Sequence, residues 1–211
     1  MPLTRSKSPT RSPLQERRES GRGVAELIAQ LQSDDAMQRR RAARDLGGCV
    51  DALPALEHAL ARETVTATRQ TMLTALMSMD DERVATMLLP MLRSDDVALR
   101  NDVIEVLQSL PGLVAPHMSS LLEDEDSDVR IFAVNILESL RHPDVPRWLQ
   151  AVIEHDEHVN VCAAAVDVLT DVGDVSALPA LDRLPQRFPD HPFIHFAANM
   201  AAEGIRRGDD V

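Results

Sequence analysis

Two stretches of the chain decide its fold: SDDVALRNDVIEVLQSL at residues 94–110 and DEDSDVRIFAVNILESL at residues 124–140. They lie 30 residues apart and align without a gap, Arg100 on Arg130. Each begins with acidic residues, and its apolar side chains then recur at intervals of three and four. That spacing places them on one face of an α-helix and does not fit the alternation of a β-strand. The two stretches are therefore predicted to be equivalent helices of a repeated unit.

The same unit extends in both directions along the chain. Six copies fit when the aligned arginine is the reference position, at Arg39, Arg69, Arg100, Arg130, Val161 and His195. Three residues after it stand Ala42, Met72, Val103, Ala133, Ala164 and Ala198. Seven after it stand Leu46, Leu76, Leu107, Leu137, Val168 and Ala202. Eight before it stand Leu31, Ala61, Leu92, Leu122 and Ile153, with Arg187 breaking the column in the sixth copy. Each copy is predicted as helix A, an acidic turn and helix B. The fold class is all-α, an α-solenoid of about six antiparallel helix pairs.

Prolines and acidic residues mark the expected helix starts. Four prolines are expected in the first turns of A helices: Pro54, Pro116, Pro146 and Pro179. A missing N–H costs nothing there. The acidic turns are expected to cap the B helices. Pro90 and Pro185 fall inside A helices, which they should bend without ending.

Composition and charge vary along the chain. Tyrosine is absent and there are one Trp and four Phe, so the core must be built from aliphatic helix formers. Residues 1–22, rich in Ser, Pro and Arg, have a net charge of +4 and are expected to be a disordered tail. The repeat domain is assigned to 23–207, and 208–211 to a short tail. The net charge of the whole chain is −12, so the remaining residues are strongly acidic. This charge disfavours nucleic acid as the main partner and favours a basic protein.

Several features bear on the cellular location. Cys49 and Cys162 fall in different copies and form no CxxC pair, which indicates reduced thiols in the cytoplasm. No apolar run is long enough to cross a membrane, and Arg17-Arg18 is not followed by the apolar core of a signal peptide. The strong preference for Arg over Lys is typical of a GC-rich bacterial genome.

The two defining stretches resemble HEAT repeats of the short bacterial type named after phycobilisome (PBS) lyases. Asp128-Val129-Arg130 followed by Ala133 is similar to the family signature, and the resemblance covers about residues 24–206. It implies a right-handed stack with A helices on the convex side and B helices on the concave side. It also implies a scaffold that hosts many functions.

Side chains with catalytic or metal-binding chemistry do not form a recognisable site. His155, Asp156, Glu157 and His158 are consecutive in a turn, and His191 and His195 have no clear third ligand. The His-Glu pairs of the HEAT-repeat enzyme deoxyhypusine hydroxylase are absent, as are nucleophile and phosphate-loop motifs. We therefore expect no enzyme activity and no cofactor. The arginine column is interpreted as a structural ladder onto the acidic turns.

A binding surface is predicted where the B helices would face the groove. The groove positions are charged or polar in copies one to three and turn apolar in copies four to six. The predicted partner-binding residues are Arg41, Arg44, Phe132, Asn135, Val166 and Met200. An exposed apolar cluster marks an interface, for instance for an amphipathic helix. The alternative is that packing buries these side chains.

These observations favour a non-catalytic scaffold or adaptor, a bacterial regulatory or assembly factor that binds a protein partner through its concave surface. The alternative is a subunit similar to phycobilin lyases that holds a tetrapyrrole or its acceptor protein. The apolar last copy, with Phe193, Ile194 and Phe196, is expected either to cap a monomer or to form a homodimer.

Overall fold

The structure is a computed structural model that describes residues 23–208. The predicted N-terminal tail, and the predicted C-terminal tail beyond Gly208, lie outside the described residues. By compactness the chain divides into two units between Val84 and Ala85. The two units are described separately.

The first unit contains two helix pairs and the start of a third. Its helices are α1 (Val24–Gln30), α2 (Ala36–Asp45), α3 (Leu53–Leu60, after a 3-10 turn at Val50–Ala52) and α4 (Thr66–Met77). Helix α5 (Glu82–Leu88) spans the division and continues as a 3-10 helix, Leu89–Arg93. The B helices α2 and α4 pack against each other, and each also packs against the A helix before it.

The second unit contains the remaining helices, which alternate in the same way. They are α6 (Val97–Gln108), α7 (Pro111–Val114), α8 (Met118–Leu122), α9 (Ser127–Ser139), α10 (Val145–His155), α11 (Val159–Val172), α12 (Leu178–Arg187) and α13 (Pro192–Gly208). A 3-10 turn at Ala115–His117 joins α7 to α8, and another at Val175–Ala177 precedes α12. The B helices α6, α9, α11 and α13 form a row in which each packs on the next.

The all-α prediction is confirmed, and the six successive helix pairs have the order of an α-solenoid. The described residues contain no strand. None of the described helices is both long and apolar enough to cross a membrane. The column seven residues after the reference position is buried in all six copies, and Leu46, Leu76, Leu107 and Leu137 are fully buried. Three other predicted core positions are wrong, because Ala61 is exposed and Leu122 and Ala164 are partly exposed.

The helix starts follow the predicted chemistry. Asp35, Asp96 and Asp126 are the N-caps of α2, α6 and α9, and each carboxylate accepts a hydrogen bond from a first-turn N–H. Pro54, Pro146 and Pro179 lie in the first turns of α3, α10 and α12. These caps satisfy backbone groups that would otherwise lack partners.

The prolines predicted inside A helices behave differently from each other. Pro185 lies inside α12, as expected. The α-helical part of α5 ends at Leu88, two residues before Pro90, which lies in the 3-10 segment. The prediction that Pro90 would bend an α-helix without ending it is wrong, since proline lacks the N–H that would continue the α-helical bonding.

The single tryptophan lies in the fifth repeat. Trp148 is buried in α10, and its ring stacks on His142 with centroids 4.9 Å apart. The backbone N–H of Asp144 donates to Nδ1 of His142, which holds the imidazole in place. This connection between α9 and α10 therefore packs as an ordered part of the repeat.

Candidate functional site

Arg39, the first arginine of the column, joins two repeats. Nε and Nη2 of Arg39 donate to Glu63 of the next repeat, at 2.7 and 2.9 Å, while Nη1 donates to the carbonyls of Ser33 and Asp34 in its own turn. The Arg39 guanidinium lowers the pKa of Glu63, and Glu63 in turn raises the pKa of Arg39. Such a bidentate, largely buried pair fixes the geometry of both turns.

Arg130 repeats this arrangement in the second unit. Its Nε and Nη2 donate to Asp156 of the next repeat at 2.7 and 3.0 Å, and Nη1 donates to the carbonyl of Asp124 at 2.8 Å. Hydrogen bonding to Asp156 raises the pKa of Arg130. The predicted structural role of the column is thus confirmed at Arg39 and Arg130.

Arg100 departs from the pattern. Its Nη1 donates to the carbonyl of Ser94 at 2.6 Å, but its guanidinium lies over the ring of Phe132, 4.8 Å from the centroid. The carboxylate of Asp124, in the next repeat, instead accepts from Arg93 at 2.6 Å. An arginine over an aromatic face makes an attractive cation–π contact. At Arg100 this contact with Phe132 takes the place of the ion pair that Arg39 and Arg130 make with a carboxylate of the next repeat.

The fifth repeat has lost its arginine, and Arg187 from the next repeat takes its place. The structure places Cys162, and not the predicted Val161, where the arginine stands in other repeats, and both residues are buried. Nη2 of Arg187 donates to the carbonyl of Asp156 at 2.6 Å, and Nη1 donates to the carbonyl of Ile153 and lies 3.8 Å from Sγ of Cys162. The break in the apolar column at Arg187 and the missing arginine at position 162 are therefore one compensated change.

The structure does not bring the six predicted partner-binding residues into one described site. Arg41 and Arg44 are exposed on α2 in the first unit. The other four belong to the second unit. There Phe132 is partly exposed beneath Arg100, Asn135 is partly exposed, and Met200 is 46% exposed. Val166 is 1% exposed, so its prediction as a contact residue is wrong.

Val166 is buried because the predicted register of the fifth copy is wrong by one residue. Cys162, and not Val161, lies four residues after the N-cap of its B helix, as Arg100 and Arg130 do. Its Sγ donates to the carbonyl six residues earlier, that of Asp156, as the two arginines do in their own repeats. Val166 therefore corresponds to the buried Ile104 and Val134, and the exposed Asp167 corresponds to Glu105 and Asn135. The charge of Asp167, at what the predicted register makes a core position, was the sequence signal of this error.

The solvent-facing charges of α6, α9 and α11 have one sign. These three helices contain six acidic residues, of which Glu105, Asp128, Glu138, Asp167 and Asp171 are exposed. Their two arginines, Arg100 and Arg130, point back to their own turns and the neighbouring repeat. The row of B helices therefore presents a negative surface, in which Phe132 and Asn135 are the partly exposed uncharged centre. We call Glu105, Glu138, Asp167, Asp171, Phe132 and Asn135 the acidic face.

A second feature lies on α13. Phe193 is 70% exposed and Phe196 is 65% exposed, and with Met200 they follow one side of the helix. Two small residues, Ala197 and Gly204, fall on the same side because they follow Phe193 by four and eleven residues. Both phenylalanines belong to the apolar last copy predicted from sequence, and both are exposed. We call Phe193, Phe196, Ala197, Met200 and Gly204 the α13 stripe.

The histidines and the buried thiol are engaged in local structure. His155 Nδ1 lies 3.0 Å from the carbonyl of Ala151, and His195 Nε2 lies 2.8 Å from the carbonyl of Phe188. Within residues 23–208, no group of three or more His, Cys, Asp or Glu is arranged to hold a metal ion. Burial raises the pKa of Cys162 to about 11, so its thiol is not an activated nucleophile.

Comparison with known proteins agrees with this architecture. Residues 24–108 and 115–192 match the family profile of HEAT repeats, and the chain belongs to the HEAT-repeat proteins. The crystal structure of an engineered protein is similar, with a TM-score of 0.40 and 18% identity over 88% of this chain and 97% of that one. An archaeal HEAT-like repeats protein from Thermococcus onnurineus NA1 has a TM-score of 0.45 and 18% identity over 87% of each chain. None of the curated proteins matches the chain.

Proposed function

We propose that this HEAT-repeat protein is a non-catalytic adaptor that binds a basic protein partner through the acidic face. The observation that supports this most directly is the single sign of the exposed charges on α6, α9 and α11. Exposed carboxylates of one sign attract a positive surface and repel the phosphates of nucleic acid.

Phe132 and Asn135 give the acidic face a contact centre. Both are partly exposed on α9, between the carboxylates of α6 and α11. A partly exposed aromatic ring surrounded by charge is a common arrangement at protein interfaces, where the centre excludes water and the rim steers the partner. An amphipathic helix with one basic edge fits this arrangement.

The finer parts of the proposal rest on sequence. The repeat length of about 30 residues supports the short bacterial type of HEAT repeat. The two free cysteines support a reducing, cytoplasmic location. The pigment-holding alternative has less support. One cleft of about 490 Å³ lies beside Trp148, but its charged lining is four carboxylates against one arginine: Glu123, Asp124, Asp156, Glu157 and Arg130, which is paired with Asp156. Those carboxylates would repel the acid groups of a tetrapyrrole.

The test compares two triple variants that change the net charge equally. E105Q/E138Q/D167N removes three of the four charges of the acidic face, and E123Q/E125Q/E157Q removes three exposed charges in the turns. Proteins recovered from the native host with the unaltered chain are identified by mass spectrometry, and the affinity of the recovered partner for each variant is measured by calorimetry. We expect the acidic-face variant to bind about tenfold more weakly or worse, with the turn variant unchanged and binding weakened by salt.

Equal binding by both triple variants would exclude the acidic face as the site. An acidic partner whose binding survives high salt would contradict the proposed partner class. Circular dichroism shows whether each variant keeps its helices, so that a loss of binding is not confused with a loss of fold.

A further inference from the structure

The α13 stripe differs in chemistry from the corresponding surface of the preceding B helix. Counted from the first residue of each helix, Phe193, Phe196 and Met200 of α13 correspond to Asn160, Ala163 and Asp167 of α11. Asn160 and Asp167 are exposed and polar, whereas α13 exposes large apolar side chains at these positions. Two of the four phenylalanines of the chain therefore lie in solvent on one helix. An apolar stripe of this kind on a charged protein is typical of an interface.

Gly204 lies near the C-terminal end of the same stripe. Glycine disfavours the interior of a helix, and no atom of the chain lies within 4 Å of the place a Cβ would occupy. The chain's own packing therefore does not require a glycine at this position. A glycine on an exposed helix surface leaves a shallow hollow that a large side chain from another molecule can occupy.

We propose that the α13 stripe pairs with the α13 stripe of a second copy of the chain, antiparallel and about a two-fold axis near Ala198. In this register Phe196 of each copy meets Met200 of the other, and Phe193 meets the hollow at Gly204. The same stripe thus supplies both the protruding side chains and the space they fill. Self-complementarity of this kind is what an isologous two-fold interface requires.

The charges at the two ends of α13 fit the same register. Asp190 is exposed just before the helix, and Arg207 lies near its end with a side chain 72% exposed. In the antiparallel arrangement each Asp190 approaches Arg207 of the other copy, and the helix dipoles oppose each other favourably. Arg207 already pairs with Glu203 one turn earlier at 3.1 Å. Because this ion pair is exposed, replacing it by a pair with Asp190 of the other copy costs little.

The size of the stripe sets the expected strength of the dimer. Its three large side chains expose about 350 Å² of surface per copy, given about 200 Å² for each full side chain. That is below the roughly 800 Å² per partner of a standard stable interface. The dimer is therefore expected to be reversible, with a dissociation constant on the order of micromolar.

The test is sedimentation equilibrium of the full chain across about 1 to 300 µM, a range that brackets such a constant. We expect a monomer–dimer equilibrium for the unaltered chain, and a shift of at least tenfold toward monomer for Phe196→Ser. Gly204→Gln should have the same effect while keeping or raising the melting temperature, because Gln favours helix and fills the hollow. Met37→Ser, which removes an equally exposed apolar side chain on α2, should dimerise normally.

Charge exchange tests the register itself. Asp190→Arg and Arg207→Asp should each weaken the dimer, and the double variant should recover most of the loss. A chain that stays monomeric at the highest concentration overturns the proposal, whatever else occupies the stripe. A dimer that is insensitive to F196S and G204Q also overturns it, because its interface must then lie elsewhere. The E105Q/E138Q/D167N variant should dimerise normally, so this test is independent of the acidic face.

Discussion

Arg130 and Asp156 belong to consecutive repeats, and two parallel hydrogen bonds of 2.7 and 3.0 Å join them. The Asp156 carboxylate also accepts from the backbone N–H of His158, so the same group joins two repeats and orders the turn before α11. The pair is largely buried, with side-chain exposures of 15% and 5%. One contact therefore links the position of a repeat to the start of the next B helix.

Replacing Arg130 with Ala should lower the free energy of unfolding by about 3 kcal/mol, because it leaves Asp156 buried and unpaired. Chemical denaturation followed by circular dichroism measures this change. Arg83→Ala is the control, since Arg83 pairs with Asp81 at an exposed site and its loss should change stability little. Similar losses for the two variants would contradict the structural role of the pair.

Replacing Arg187 with Leu should destabilise the second unit by about 2 kcal/mol, because the carbonyls of Ile153 and Asp156 lose a charged donor. Adding Cys162→Arg places an arginine where Arg100 and Arg130 stand in their repeats and should recover part of the loss. Both variants are measured by thermal denaturation. If C162R worsens R187L, the two positions do not compensate each other in the way the hydrogen bonds indicate.

The Arg39–Glu63 pair predicts a pH dependence. Arg39 holds the pKa of Glu63 below its ordinary value of about 4.3, so the folded state binds a proton less readily than the unfolded chain. The contribution of the pair is fully present above about pH 4.3 and is lost as pH falls through the lower, folded pKa. The stability difference between the unaltered chain and E63Q should therefore be constant from pH 7 to 5 and shrink below pH 4. The exposed Glu57→Gln serves as the control, and a difference that grows on acidification would show the opposite linkage.

The two cysteines should react at different rates. Cys162 is buried and its pKa is raised to about 11, so at pH 8 about one thiol in a thousand is ionised. Cys49 is partly exposed. A thiol reagent such as Ellman's should modify one cysteine per chain in the folded protein and the second only on unfolding, with C49S leaving no fast reaction. Rapid modification of both thiols would show that α11 opens readily.

The repeat pattern could be predicted from sequence because it depends on local chemistry. Leu107 and Leu137 fall in the same column as Leu46 and Leu76, and helix packing buries every member of such a column. Likewise, Asp96 and Asp126 precede their helices at the distance that capping requires. Side chains whose role lies within their own helix or its cap can therefore be recognised from their spacing in the sequence.

The site residues were harder to predict because one extra residue in a repeat reverses which side chains are exposed. The unit from Arg130 to Cys162 spans 32 residues, so the predicted register placed the buried Val166 on the surface and the exposed Asp167 in the core. Only Asp167, a charge where the predicted register expects an apolar residue, indicates this in the sequence. The acidic face becomes apparent once Arg100 and Arg130 are seen to turn away from it.

The chain has no tyrosine, and its one tryptophan is stacked on His142 inside the fifth repeat. Its intrinsic fluorescence therefore originates at one point, whereas circular dichroism averages over every helix. In an array where each repeat contacts only its neighbours, melting that begins elsewhere would separate the two signals in temperature. The protein thus contains a natural optical label that reports whether the array melts cooperatively or frays from one end.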